Sequence, residues 1–317
     1  MGASLMTGRD IVLHHYWRSP FSEKVRLAFG LKGLSWHSVL QPRLAPKPDL
    51  TPLTGGYRRI PVMQIGADIY CDTRCILDEL ERRHPRPSLY PAGSAGLADL
   101  VAGFADRFLF AEALGLVFAL HGDRFPPELH ADRARFMAGR FDGWDPEAMR
   151  AKLPSLRFHL AHHLTWLERL LGDGRPFLTG AVPGRAASAS FPPLWTAHKT
   201  PAPPYCDPAP SPRLSGWMER VGAIGHGDRA DLDPADALAM ARDGEPADLP
   251  ADLAGGPDAE GWLGRRVRVV PDDWGFDPVE GELAAVSHER IALRRRDPAL
   301  GTVMVHFPHA GFVLRRL

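Results

Sequence analysis

"RSPFSEKVRLAF", residues 18–29, follows the apolar run "IVLHHYW" at 11–17, and this junction decides the fold. The first run has strand length and content. After it, Phe21, Val25, Ala28, Phe29 and Leu31 recur at the spacing of one helical face, and Gly33 closes the helix. Ser19 takes the N-cap position and Pro20 the first helical position, the favoured order at a helix start. Two readings of Ser19 stand side by side. It is a helix cap, or it is a reactive-site hydroxyl at a helix N-terminus, where negative charge is favoured.

Working outward, "LSWHSVLQ" (34–41) reads as a second strand, and the Pro-rich "QPRLAPKPDLTPLTGGY" (41–57) as a loop or lid. "IPVMQIG" (60–66) and "ADIYCD" (67–72) form a hairpin through Gly66-Ala67, and a helix from Asp72 to Arg83 carries Ile76 and Leu80 inward before Pro85. The order β-α-β then β-β-α over residues 10–90 is the α/β thioredoxin-like arrangement. Strand signals then vanish over 95–243. "LADLVAGFADRFLFAEALGLVFAL" (97–120) is too densely apolar for a surface helix, and Leu156, Leu160, Leu164, Leu167 and Leu171 repeat every three or four residues, so the second domain is an all-α helical bundle. Residues 244–257 are a linker. From 258 to 317, five short alternating runs imply a small all-β, barrel-like domain, closed or half-open. Every candidate ligand residue of the α/β part lies before 80, so this tail is expected to fold separately and to be dispensable for ligand binding.

Charge narrows the partners. The chain has 38 basic and 38 acidic residues, and the tail is neutral too, so neither nucleic acid nor an anionic membrane is indicated. No run of 18 apolar residues occurs, and "MGASLMTGRD" lacks the order of a secretory signal. Three scattered cysteines, Cys71, Cys75 and Cys206, make no disulfide framework, which fits a cytoplasmic location. His159, His162 and His163 have chelating spacing, yet no carboxylate or cysteine completes a set nearby in sequence, so no metal is expected.

"SPFSEKVRLAF", "RIPVMQIG" and "YCDTRCI" together resemble the glutathione S-transferase family, in its serine-containing form, over residues 10–240. The resemblance implies a cytoplasmic detoxifying enzyme, typically a homodimer, that uses glutathione as cosubstrate and takes small-molecule electrophiles. It implies Ser19 as the catalytic hydroxyl, with Ser22 as the alternative. A cis Ile60-Pro61 bond would present the Ile60 backbone to the cysteinyl part of the tripeptide, and Asp72 and Thr73 would hold its γ-glutamyl end. Lys47, Arg58 or Arg59 would meet the glycyl carboxylate, and Phe21, Phe104, Phe108 and Phe110 would line the electrophile pocket. Alternatives are a non-catalytic glutathione-binding scaffold, or a glutathione-dependent thiol reductase or peroxidase. The last is disfavoured because serine stands at both positions of a Cys-Pro-x-Cys redox motif.

The physical chemistry agrees with the serine mechanism. A thiol near pKa 8.5 must fall by about two units, about 2.7 kcal/mol, to ionise at neutral pH. One hydrogen bond to a charged group contributes about 1.5–3 kcal/mol, and a helix N-terminus about 0.3–1 kcal/mol. One departure concerns "PGRAASASF" (183–191). Gly184 and Ala187 stand where the family has Ser/Thr and Asp of a capping box, a loss of about 1 kcal/mol that predicts irregular structure over 180–212.

Overall fold

The computed structural model describes residues 10–91, 93–138, 145–198, 211–250, 253 and 261–317; Cys206 and residues 258–260 lie outside them. The first elements are β1 (Val12–His15), α1 (Pro20–Lys32), β2 (Ser35–Leu40), α2 (Thr51–Thr54), β3 (Val62–Ile65), β4 (Asp68–Cys71) and α3 (Thr73–Arg83). Helices α4 (Ala95–Phe104) and α5 (Phe110–His121) follow, joined by a π-turn at Ala105–Leu109, then α6 (Pro127–Phe136), α7 (Pro146–Ala151), α8 (Leu153–Leu170), α9 (Arg185–His198) and α10 (Pro212–Gly222). The chain continues through β5 (Asp228–Asp231) and α11 (Pro234–Asp243) into β6 (Arg266–Pro271), β7 (Val279–Val286), β8 (Arg290–Asp297), β9 (Gly301–Pro308) and β10 (Phe312–Arg316). No described helix is long and apolar enough to cross a membrane.

Two compact units divide these elements. One takes the described residues up to Ser22 with Ser35–Glu79 and Asp228–Leu317; the other takes Glu23–Leu34 and Leu80–Gly227. The first is built on a ten-stranded sheet in the order β10-β6-β7-β8-β9-β4-β3-β1-β2-β5. β1 lies between parallel β2 and antiparallel β3 and is buried throughout, which explains its unbroken apolar reading rather than an alternating one.

Burial extends to the two histidines of β1. His14 Nε2 lies 2.9 Å from Gln64 Oε1, and desolvation, partly opposed by this bond, lowers its pKa from 6.5 to about 4. His306 is lowered in the same direction by burial, against the pull of Asp68. Above pH 6.5 these rings are neutral in both folded and unfolded chains. Below it the unfolded chain binds protons that the fold refuses, so stability is lost as the pH falls, by about 3 kcal/mol for His14 alone between 6.5 and 4. Thermal unfolding followed from pH 7.5 to 5 should show a falling midpoint below about pH 6.5; a flat profile would contradict the buried neutral assignment.

The tail's five strands are where the alternation puts them, in the order β10-β6-β7-β8-β9, and no ladder between β9 and β10 closes them into a full barrel among the described residues. Instead β9 pairs in parallel with β4, in the register Asp68↔Met304, Ile69↔Val305, Tyr70↔His306. Nor is the tail a separate domain. One core takes Leu50, Leu53, Tyr57, Ile60, Val62 and Ile69 together with Val267, Leu283, Leu293, Val305 and Phe307. The physical reason is the edge of β4, whose unpaired backbone groups β9 satisfies. The 95–243 boundary also moves. β5 joins the sheet beside β2, and α11 packs Ala237 on Val12 and Val39, so both belong to the first unit. β5 is four exposed residues, "DRAD", with no apolar alternation to read. In the 41–57 loop only the single turn of α2 is helical.

The second unit is helical, with a core that includes Leu27, Leu109, Leu116, Leu160, Leu164, Phe191 and Trp217. The expected irregularity over 180–212 is corrected over α9. That helix forms without the capping box because Arg185 N–H donates to the Leu89 carbonyl at 2.8 Å. Arg185, nearly fully buried, also meets Asp99 at 3.2 Å and Tyr90 Oη at 2.5 Å. Gly184 is required there, since a Cβ would lie 2.4 Å from the Leu89 carbonyl oxygen.

Candidate active site

The site grows from the ends of elements in the first unit. Ser19 is 2% exposed and caps α1, its Oγ accepting the Ser22 N–H at 3.1 Å. The cap and the reactive readings are therefore compatible: the oxygen serves the helix as acceptor, and the hydroxyl proton has no acceptor among the described residues. Ser22 Oγ is buried with no hydrogen-bond partner among the described residues.

The Ile60–Pro61 bond is cis, and both residues are buried beside β3. Asp72, at the entrance to α3, has φ 72°, the one described non-glycine residue in the left-handed region. Such a conformation costs on the order of 1 kcal/mol and concentrates at functional positions. Its Oδ1 accepts the Arg74 N–H at 2.9 Å, so Asp72 also caps α3, and Thr73 is buried as its first residue. Beneath them Tyr57 is fully buried. Its phenol is pushed well above its usual pKa, first by burial and then by Asp72, and its electrostatic neighbours also include Arg59 and Asp273.

The three candidate cations are not equivalent. Lys47 is buried, and its Nζ donates to the Pro42 carbonyl. Arg58 lies 3.8 Å from Asp277, and Arg59 is paired with Asp273 at 2.5 Å. Both acidic partners come from the tail, which composition alone did not connect to this site.

The phenylalanines proposed for a pocket divide. Phe21 is half-buried in the first turn of α1. In the second unit, Phe104 stacks on Phe108 (6.1 Å) and meets His163 (4.9 Å) and Trp166 (5.5 Å), while Phe110 is buried in α5. The histidines of α8 do find a carboxylate, from another helix: Glu112 Oε2 is 2.7 Å from His163 Nδ1. Burial raises the Glu112 pKa against the opposing His163 bond. Among the described residues no group of three ligand-type side chains is assembled for a metal. Cys71 and Cys75 are buried free thiols, both raised in pKa by burial, which makes them unreactive rather than a redox couple.

A thioredoxin-like unit whose strand-to-helix turn carries a buried serine, followed by a helical unit, is the class defined by this architecture. The family description "Glutathione S-transferase, N-terminal domain" matches residues 13–88. A GST-like protein from Pseudomonas syringae, of known crystal structure, is 36% identical, with 97% of this chain and 99% of that one aligned at a TM-score of 0.74. "Probable glutathione S-transferase GSTU1" of Oryza sativa subsp. japonica is 28% identical over 222 residues, 68% of this chain and 87% of the relative. "Maleylacetoacetate isomerase" of Dictyostelium discoideum is 32% identical over 93 residues, 28% of this chain and 42% of that relative. The chain belongs to the glutathione S-transferase family.

Proposed function

We propose that this chain is a cytoplasmic glutathione transferase in which the Ser19 hydroxyl stabilises the cysteinyl thiolate for attack on an apolar electrophile. The observation that carries the reading is Ser19 itself: buried at the N-terminus of α1, its oxygen engaged as a cap and its proton available to a thiolate. Asp72 and Thr73 at the start of α3, and the Ile60 backbone beside Pro61, are the groups assigned to the γ-glutamyl and cysteinyl parts. The protein's contributions are ionisation of the thiol and proximity of the two reactants. A second copy is the proposed partner. Leu100, Phe108, Phe158 and Trp166 stand exposed on α4, the π-turn and α8, an apolar set that supports a homodimer. The isomerase relative favours a second reading, reversible addition of the same thiolate to an activated double bond.

Substituting Ser19→Ala tests the assignment. Loss of the cap should cost about 1 kcal/mol of stability. Loss of the charged hydrogen bond should raise the thiol pKa of bound glutathione by about one to two units in an ultraviolet thiolate titration. An unchanged pKa would remove Ser19 from the mechanism, and a shift on Ser22→Ala instead would transfer the role to Ser22.

A further inference from the structure

Arg59 precedes the cis Ile60–Pro61 pair and is gripped from 214 residues away in sequence by the loop between β6 and β7. Its Nη2 donates to Asp273 Oδ1 at 2.5 Å and to the Trp274 carbonyl, and its guanidinium carbon lies 5.6 Å from the centre of the Trp274 ring. Asp273 is itself fixed, since the same Oδ1 accepts the Trp274 N–H at 2.9 Å. The paired side chains are 12% and 11% exposed, and Trp274 is buried. Both bonds fall on one nitrogen. Arg59 Nε, also buried, has no acceptor among the described residues. A buried guanidinium donor without a partner is costly, and a carboxylate is the acceptor that suits it best.

We propose that residues 272–278 of the tail complete the ligand site, with Asp273 and Trp274 as positioning residues that hold Arg59 ready for the glycyl carboxylate of glutathione. An arginine normally loses several rotatable bonds of freedom when it binds a ligand; one already clamped through Nη2 and stacked on an indole has lost them in advance. The neighbouring contact of Arg58 with Asp277 extends the same loop along the same segment. This assignment rests on the glutathione reading above and adds that the recognition of the glycyl end depends on the tail.

The test is calorimetric titration of the full-length chain with glutathione and with its glycyl monoethyl ester, which lacks that one negative charge. Asp273→Ala should raise the glutathione dissociation constant roughly tenfold and the ester's less than about twofold, with an unchanged far-ultraviolet spectrum. Asp273→Asn, which keeps an oxygen for the Trp274 N–H and Arg59, should fall between, and it carries the comparison should the alanine variant not fold. Unaltered glutathione binding, or equal weakening of both ligands, would overturn the assignment while leaving the glutathione reading in place. A wild-type chain that binds neither ligand would overturn both.

Discussion

Removal of residues 258–317 should abolish cooperative folding of the sheet-bearing unit. Without β9 the β4 edge loses its parallel partner, and Leu50, Leu53, Tyr57, Ile60, Val62 and Ile69 lose the tail side chains that now cover them. Each large apolar side chain fully uncovered costs about 1.5–3 kcal/mol, so a few of them equal the roughly 5–15 kcal/mol that holds a domain folded. Asp68 and Glu79, both buried, would also lose His306 and Arg290. The expected readout is a truncated chain that elutes as aggregate, binds a hydrophobic dye and shows no sharp thermal transition. Cooperative melting within a few degrees of the full-length protein would restore the tail to the status of an independent domain.

Arg290→Ala should destabilise the intact chain by about 3–5 kcal/mol, the largest effect expected of a single substitution here. Arg290 Nη1 lies 2.8 Å from Glu79 Oε2, with 8% and 0% of the side chains exposed, and Tyr70 Oη donates to the other Glu79 oxygen at 3.2 Å. The substitution removes the cation from a carboxylate that is itself fully buried. Replacing Glu79 as well, as in Glu79→Met with Arg290→Met, removes both charges and should recover most of the loss. Urea unfolding of Glu79→Met, Arg290→Met and the double variant closes the cycle. Additive losses across it would mean that the pair is not coupled and that Arg290 acts only through packing.

The neighbouring polar pairs explain why this junction is specific. His306 Nε2 meets Asp68 Oδ1 at 3.0 Å and stacks on Tyr70 at 4.6 Å, directly opposite it in the β4–β9 register. The second Asp68 oxygen accepts the Ala247 N–H at 2.9 Å. A slip of one residue would turn all of these side chains to the wrong face.

Local pattern was enough to locate most elements. The strand-to-helix junction at 18–29, the hairpin through Gly66, α3 and all five tail strands are written in periodicities of two and 3.6 and in their Gly and Pro punctuation, because short-range sterics and one-sided burial act within a few residues. That Ser19 caps α1 and Asp72 caps α3 was legible for the same reason, each cap being local chemistry, whereas the ligand roles of Ser19, Ile60, Pro61, Asp72 and Thr73 are what the family resemblance implies. What the sequence could not state is which edges meet. The β4–β9 ladder, the capture of Arg59 by Asp273 and Trp274, the Glu79–Arg290 pair and the substitution of Arg185 for a capping box all join residues tens to hundreds of positions apart. Such contacts depend on loop closure and on the shape of the packed surfaces rather than on any local preference, so only the tertiary structure decided that the tail is part of the sheet.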